Sequence, residues 1–210
     1  MFEFCVLTLF FLALTLFGEG TGRLWLRAGG KPLASMSFVA AAWLAEPLSS
    51  STGVALFCGL ILSALGDVLL LKKGSKVHFL AGLGAFLFAH IAYVVSFVAT
   101  GGVDWALAGG LSALGGGAAV GVSGWLLPSV PQKLKAPVVA YLIVISVMVV
   151  LAWSLPIGFG LVQGAATLFF LSDISVAIDR FKEGGFLNRL WGLPAYYLAQ
   201  LLFVLWWAVG

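Results

Sequence analysis

Apolar runs fill the chain from end to end, parted by short breaks of glycine, proline and charge. Cutting at the breaks gives eight runs: 4–17, 32–45, 52–71, 77–99, 105–127, 137–155, 158–178 and 191–208. A bilayer-spanning helix takes about 20 residues, so each run is read as a span and the first two as short ones. Pro32 and Pro137 open their runs, as suits a first helical position where the missing N–H costs nothing. The fifth run holds Gly109, Gly110, Gly115, Gly116, Gly117 and Gly121, small residues that let helices approach closely. The first run carries no positive leader, its only early charge being Glu3, and is read as a retained span rather than a signal peptide.

Composition strengthens this picture. Of 210 residues, 62% are hydrophobic and 9% charged, against about 25% charged in a soluble domain. A soluble fold of this length cannot hide that much apolar surface, and disorder is excluded by the same figures. The expectation is one integral membrane domain over 1–210, all-α and polytopic, with eight transmembrane helices. Compactness suggests a bacterial inner membrane. The net charge of +3 is read as loop anchoring, not as a nucleic-acid footprint. Cys5 and Cys58 lie in apolar runs and make no disulfide framework. His78 and His90 are too few for a His-rich metal site, so no metal or cofactor is expected.

The charges sort by break. Arg23, Arg27 and Lys31 follow the first run, and Lys72, Lys73 and Lys76 the third. Lys133 and Lys135 follow the fifth, and Arg180, Lys182 and Arg189 the seventh. The other three breaks hold no Lys or Arg. By the positive-inside rule these four breaks are cytoplasmic and both termini are extracytoplasmic.

The halves of the chain, about 1–100 and 101–210, resemble each other. Residues 82–95 (GLGAFLFAHIAYVV) and 192–205 (GLPAYYLAQLLFVL) share five identities in fourteen positions. Gly66-Asp67 matches Ser172-Asp173, and Lys31-Pro32 matches Lys135-Ala136-Pro137. Two four-helix repeats of the same orientation follow, related by an axis along the membrane normal.

An ionisable group inside a span marks a functional site by default. Asp67, His90 and Asp173 qualify. At the helical rise of 1.5 Å per residue, Asp67 lies about 6 Å and Asp173 about 8 Å from the cytoplasmic end of their spans. Tyr197 lies about 9 Å in, Gln200 about 13 Å and His90 about 20 Å. Helical spacing puts Gly59, Ser63 and Asp67 on one face. It does the same for Phe86, His90 and Tyr93, for Phe169, Ser172 and Asp173, and for Tyr197 and Gln200. These stripes suggest a common cavity open toward the cytoplasmic leaflet, with Lys31 at its entrance and Tyr141 a further candidate on the sixth span. Asp179, Arg180, Lys182 and Glu183 are read as a solvated interfacial run. Glu3, Glu46 and Asp104 are read as outer-loop charges.

Two carboxyl groups in a low-dielectric cavity divide into one that keeps its proton and one that is ionised, giving an acid and an anion. Glycosidases use such a pair on acetal-type bonds. No G-x-S-x-G elbow is present, which disfavours a serine hydrolase. What remains is metal-free acid–base chemistry on a lipid, or proton-coupled transport.

Several blocks then acquire a joint meaning: Lys31-Pro32, Gly66-Asp67 with its following leucines, Gly82-x3-Phe86-x3-His90-x2-Tyr93, and Gly164-Ala165 with Phe169 and Ser172-Asp173. Together they resemble the YhhN-type membrane proteins, a family that includes lysoplasmalogenases, over nearly the whole chain. The resemblance implies an eight-helix hydrolase that cleaves the vinyl ether bond of lysoplasmalogens. The products are an aldehyde and glycerophosphoethanolamine or glycerophosphocholine. The substrate is then a lysophospholipid taken from the membrane, with water as co-reactant. Asp67 and Asp173 become the catalytic pair. His90, Tyr93, Tyr141, Ser172, Tyr197 and Gln200 surround the substrate or water, and Lys31 meets the phosphate. The competing expectation is a transporter or lipid-binding protein using the same cavity, and a structural membrane subunit is a third.

Overall fold

The computed structural model describes residues 1–72 and 74–209. Among them the chain is all-helical: α1 (Phe2–Thr21), α2 (Leu24–Trp43), α3 (Ser51–Leu70), α4 (Lys76–Ala99), α5 (Trp105–Leu126), α6 (Gln132–Trp153), α7 (Gly160–Phe181) and α8 (Phe186–Val209). Short 3-10 turns occupy three of the connections. Seven of these helices are long and apolar enough to cross a bilayer, and the chain is a multi-pass helical membrane protein. The remaining helix, α2, carries Arg27 and Lys31 and packs against α1, α3 and α8. Its buried face is small and partly polar, with Ala34, Ser35, Ser37, Ala41 and Ala42. The opposite face of α2 is exposed and apolar, with Trp25, Leu33, Met36 and Trp43, so the polar residues are turned inward, where other helices rather than lipid meet them.

The helices run further than the apolar runs at the end where the basic residues gather. α2 begins at Leu24, α6 at Gln132 and α8 at Phe186, while α7 continues to Phe181. Two expectations change as a result. Pro32 and Pro137 do not open their helices but lie inside them, as Pro194 does in α8. Good helix formers such as Leu, Arg, Gln and Lys carry the helix outward past each proline, which leaves one carbonyl a turn earlier without its usual donor. The basic residues also ride mostly on helix ends. Among the described ones only Arg23, Lys72 and Lys182 fall between helices. Lys73 lies outside the described residues.

The glycines of the fifth run are a third correction. α5 packs chiefly on α6 and buries only Ala108 and Leu126. A Cβ at Gly109, Gly110, Gly116, Gly117 or Gly121 would meet nothing within 4 Å, and only Gly115 faces a neighbour, Val150. Close approach happens instead between α3 and α4. A Cβ at Gly59 would collide with the Tyr93 ring, and one at Gly66 would lie 2.6 Å from Phe86. The missing side chains let these two rings seat against α3.

Asp104 is more than an outer-loop charge: its carboxylate accepts from the Ala106 and Leu107 N–H groups and caps α5. Farther into the bundle, Phe97, Tyr93 and Phe203 are fully buried, with Tyr93 stacked on Phe203 at 4.4 Å. These rings fill the half of the bundle remote from the basic residues. The opposite half is hollow.

Candidate active site

The hollow is a cavity of about 290 Å³ at the basic end of the bundle. Its wall takes Thr15 and Glu19 from α1, Arg27 and Lys31 from α2, Asp67 from α3, and Phe79 and Phe86 from α4. α7 adds Ser172, Asp173, Ser175, Asp179 and Arg180, and α8 adds Arg189, Gly192 and Tyr196. A second, smaller space of about 70 Å³ adjoins it. That chamber is almost wholly apolar, lined by Leu83, Val122, Leu142, Ile145, Phe170 and Ala177 among others. Asp173, Phe79, Phe86 and Arg180 border both spaces.

Both predicted aspartates reach the larger cavity, and their surroundings differ. Asp67 is 2% exposed and tightly held. Lys31 Nζ lies 2.9 Å from its Oδ1, and Ser35 donates its hydroxyl to Oδ2 at 2.7 Å. Tyr197 stands behind this pair, 3.4 Å from Ser35 Oγ and donating to the Lys31 carbonyl at 3.1 Å. Asp173 accepts a hydrogen bond from the Tyr141 hydroxyl at 2.7 Å on Oδ2. His90 Nε2 approaches the same oxygen at 3.5 Å without a hydrogen bond. The His90 ring is fully buried, edge-on to Phe169 at 4.7 Å and Tyr141 at 5.2 Å. Each aspartate is thus bonded from the second helix of its own half, α2 for Asp67 and α6 for Asp173.

The other predicted residues divide. Lys31 and Ser172 line the cavity, although Ser172 turns its hydroxyl back to the Phe169 carbonyl and Lys31 faces Asp67. Tyr141 lines the apolar chamber. His90, Tyr93, Tyr197 and Gln200 lie behind the wall rather than on it. Tyr93 donates to Gln200 Oε1 at 2.8 Å and sits 3.3 Å from Ser63 Oγ, linking α3, α4 and α8.

Several residues of the site were missed from sequence. Ser35 carries one of the two bonds to Asp67, and a signal for it existed: it lies one helical turn beyond Lys31, on the same face. Tyr196 borders the cavity, and its buried hydroxyl has no hydrogen-bond partner among the described residues. Its position pairs with Phe86 in the internal alignment, which placed it opposite a cavity residue. The run from Asp179 is not simply solvated. Arg189 bonds Asp179 and Glu19, each at 2.7 Å, and Asn188 donates to Asp179 at 3.0 Å. Arg27 lies 3.7 Å from Glu19 and donates to the Leu71 carbonyl at 3.3 Å. This network joins α1, α2, α7 and α8 around the cavity mouth. Arg180 sits over the Phe79 ring at 4.1 Å. No spacing rule links residues from four helices, and that is why the network was invisible.

Chemically, the arrangement offers two carboxyl groups facing one polar cavity, an apolar annex and a cation-bearing entrance. Comparison with known proteins bears on this geometry. The model of the YhhN family matches residues 26–207. Lysoplasmalogenase TMEM86B of Mus musculus is 31% identical over 181 residues, which span 86% of this chain and 75% of that protein. No solved structure matches the chain.

Proposed function

The chain belongs to the YhhN family, and we propose that it hydrolyses the vinyl ether bond of lysoplasmalogens in the cavity between Asp67 and Asp173. The products are a fatty aldehyde and glycerophosphoethanolamine or glycerophosphocholine. The observation that carries this reading is the pair of aspartates on one cavity wall, at the border of a polar space and an apolar one. A lysoplasmalogen has the same division, with an alkenyl chain on one side of the vinyl ether and glycerol phosphate on the other.

Hydrolysis of a vinyl ether begins with proton transfer to the carbon β to oxygen, giving an oxocarbenium ion. Water adds to that ion, and the hemiacetal collapses to aldehyde and alcohol. The first step needs a placed acid, and the cation needs a fixed anion nearby. Asp67 and Asp173 supply one each. No metal is required in this scheme. Arg27, Lys72, Arg180 and Arg189 border the cavity and are placed to receive the phosphate, with Lys31 committed to Asp67. Tyr196 offers its free hydroxyl to the glycerol or to water. His90, Tyr93, Tyr141, Ser172, Tyr197 and Gln200 support the two carboxyl groups from around and behind.

Within this reading all eight helices span the bilayer, with both termini extracytoplasmic. Support comes from the basic residues, which gather at one end of the bundle. The two four-helix halves form a parallel repeat, supported by the matching attachments of Asp67 to α2 and of Asp173 to α6. A carrier needs access from both sides. The polar groups cluster in one half and aromatic rings fill the other, which favours the enzyme. The test is a panel of lysolipids presented to the purified protein. Vinyl ether lysolipids release aldehyde, while the matching ester and alkyl ether lysolipids are left intact. Transport of the intact lipid without aldehyde release would favour the carrier.

A further inference from the structure

We propose that Asp173 is the acid that protonates the vinyl ether carbon, and that Asp67 is the standing carboxylate that takes the proton of the attacking water. This rests on the hydrolase reading above and divides the two roles which that reading leaves shared. Two independent features carry it: the partners of each carboxyl group, and the spaces each one faces.

Asp67 has the partners of an anion. The Lys31 ammonium lies 2.9 Å from one oxygen, and the Ser35 hydroxyl donates to the other at 2.7 Å. A carboxylate has about four acceptor positions, so room remains for a water. Asp173 is built differently. Among the described residues no Lys or Arg is within ion-pair distance of it. From α6, Tyr141 donates to Oδ2 at 2.7 Å. From α4, His90 stands 3.5 Å away, with neither ring nitrogen hydrogen-bonded. An imidazolium there would bury an Nδ1 donor with no acceptor, between the Phe169 and Tyr141 rings, which favours a neutral His90. On its own helix Arg180 lies two turns off, over Phe79. A lone carboxylate in such surroundings is costly, whereas a carboxyl group that keeps its proton is not.

The spaces agree. Asp173 borders both the polar cavity and the apolar chamber, while Asp67 borders the polar cavity alone. With the alkenyl chain entering the chamber and the phosphate at the mouth, the chain-side carbon of the double bond lies at Asp173. The oxygen-bearing carbon faces the polar cavity and Asp67. At about 70 Å³ the chamber has roughly the volume of two waters, so it seats only the first carbons and the rest of the chain runs on into lipid.

The proton and electron balance closes. The double bond takes the Asp173 proton at its chain-side carbon, leaving an oxocarbenium ion beside the new Asp173 carboxylate. Water attacks the cationic carbon and gives a proton to Asp67, forming the hemiacetal. Asp67 then protonates the glycerol oxygen as the carbon–oxygen bond breaks with its electron pair going to that oxygen. Asp173 takes the hemiacetal hydroxyl proton as the aldehyde carbonyl forms. One water is consumed, and both residues regain their starting states.

Infrared spectroscopy of the full-length protein in H₂O and D₂O tests this, because a protonated carboxyl group has a C=O band separate from carboxylate bands and sensitive to deuteration. Wild type is expected to show that band. Asp173→Asn removes it, Asp173→Glu shifts it, and Asp67→Asn leaves it in place. A band that survives Asp173→Asn, one that vanishes with Asp67→Asn, or none in wild type overturns the division of roles; the last means that Asp173 is ionised. If Asp173→Asn fails to fold, the shift or its absence in Asp173→Glu decides the assignment. Wild-type turnover in D₂O is the companion measurement, and the aldehyde is expected to carry one deuterium on the carbon next to its carbonyl. Aldehyde release with a contrary infrared result rejects only this inference, whereas no release at all rejects the hydrolase reading itself.

Discussion

Replacing Lys31 with methionine removes the cation 2.9 Å from Asp67 while keeping the length and apolar stem of the side chain. Breaking a buried ion pair from one side costs about 3–5 kcal/mol, because the remaining charge has lost its partner. Lys31 keeps 16% of its side-chain exposure, which places the loss at the lower end, about 3 kcal/mol. For a chain of this length that is a fall in Tm of about 6–12 °C. Asp67→Asn alone leaves the ammonium facing an amide and is also destabilising. The double variant carries no net charge at the site and keeps the Ser35 hydrogen bond, so it recovers about 2 kcal/mol of the summed single losses. Thermal unfolding of all four proteins in one detergent measures the coupling. Single losses that simply add would refute the claim that these two groups hold each other inside the bundle.

Further outcomes follow from the same geometry. Gly66→Val forces a branched side chain against the Phe86 ring, 2.6 Å from the first added carbon, and is expected to cost about 1–3 kcal/mol in thermal unfolding. Gly116→Ala on α5, where a Cβ meets nothing within 4 Å, is expected to be neutral or stabilising by about 0.5–1 kcal/mol. Arg189→Ala cuts the bonds to Glu19 and Asp179 at the cavity mouth. It is expected to raise KM about tenfold for a phosphate-bearing substrate with a smaller change in kcat, as loss of uniform binding does. Ala177→Phe puts a ring into the apolar chamber. It is expected to raise KM for lysoplasmalogens by about tenfold whatever the chain length, the scale of one hydrophobic group denied its pocket.

What could be read in the sequence was what the bilayer imposes. Asp67 and Asp173 stood out because a carboxyl group in an apolar run has few places to go, and both indeed reach one cavity. Helical spacing also brought Gly59, Ser63 and Asp67 onto a buried face of α3. It worked less well where the deciding fact was a neighbour. Pro32 is a plausible helix opener until the turns before it are found to be helical. The α5 glycines resemble a packing face, yet among the described residues nothing is laid against most of them. Spacing places His90, Tyr93 and Gln200 on cavity-facing stripes, but they lie behind the wall, and His90, expected about 20 Å deep, reaches Asp173 at 3.5 Å, because side-chain direction depends on how each helix is rotated and placed. The mouth network from Glu19 to Arg189 spans 170 residues of sequence, and only the assembled bundle brings its members together.

The most direct measurement is aldehyde release from lysoplasmenylethanolamine by purified wild-type protein, Asp67→Asn and Asp173→Asn, each shown to be folded. The account predicts release matched by glycerophosphoethanolamine in wild type, and a loss of about 10²–10⁴-fold in each variant, the usual scale of a removed acid or base. Turnover near the wild-type rate in either variant would contradict the paired-aspartate site, and no release by wild type would contradict the hydrolase.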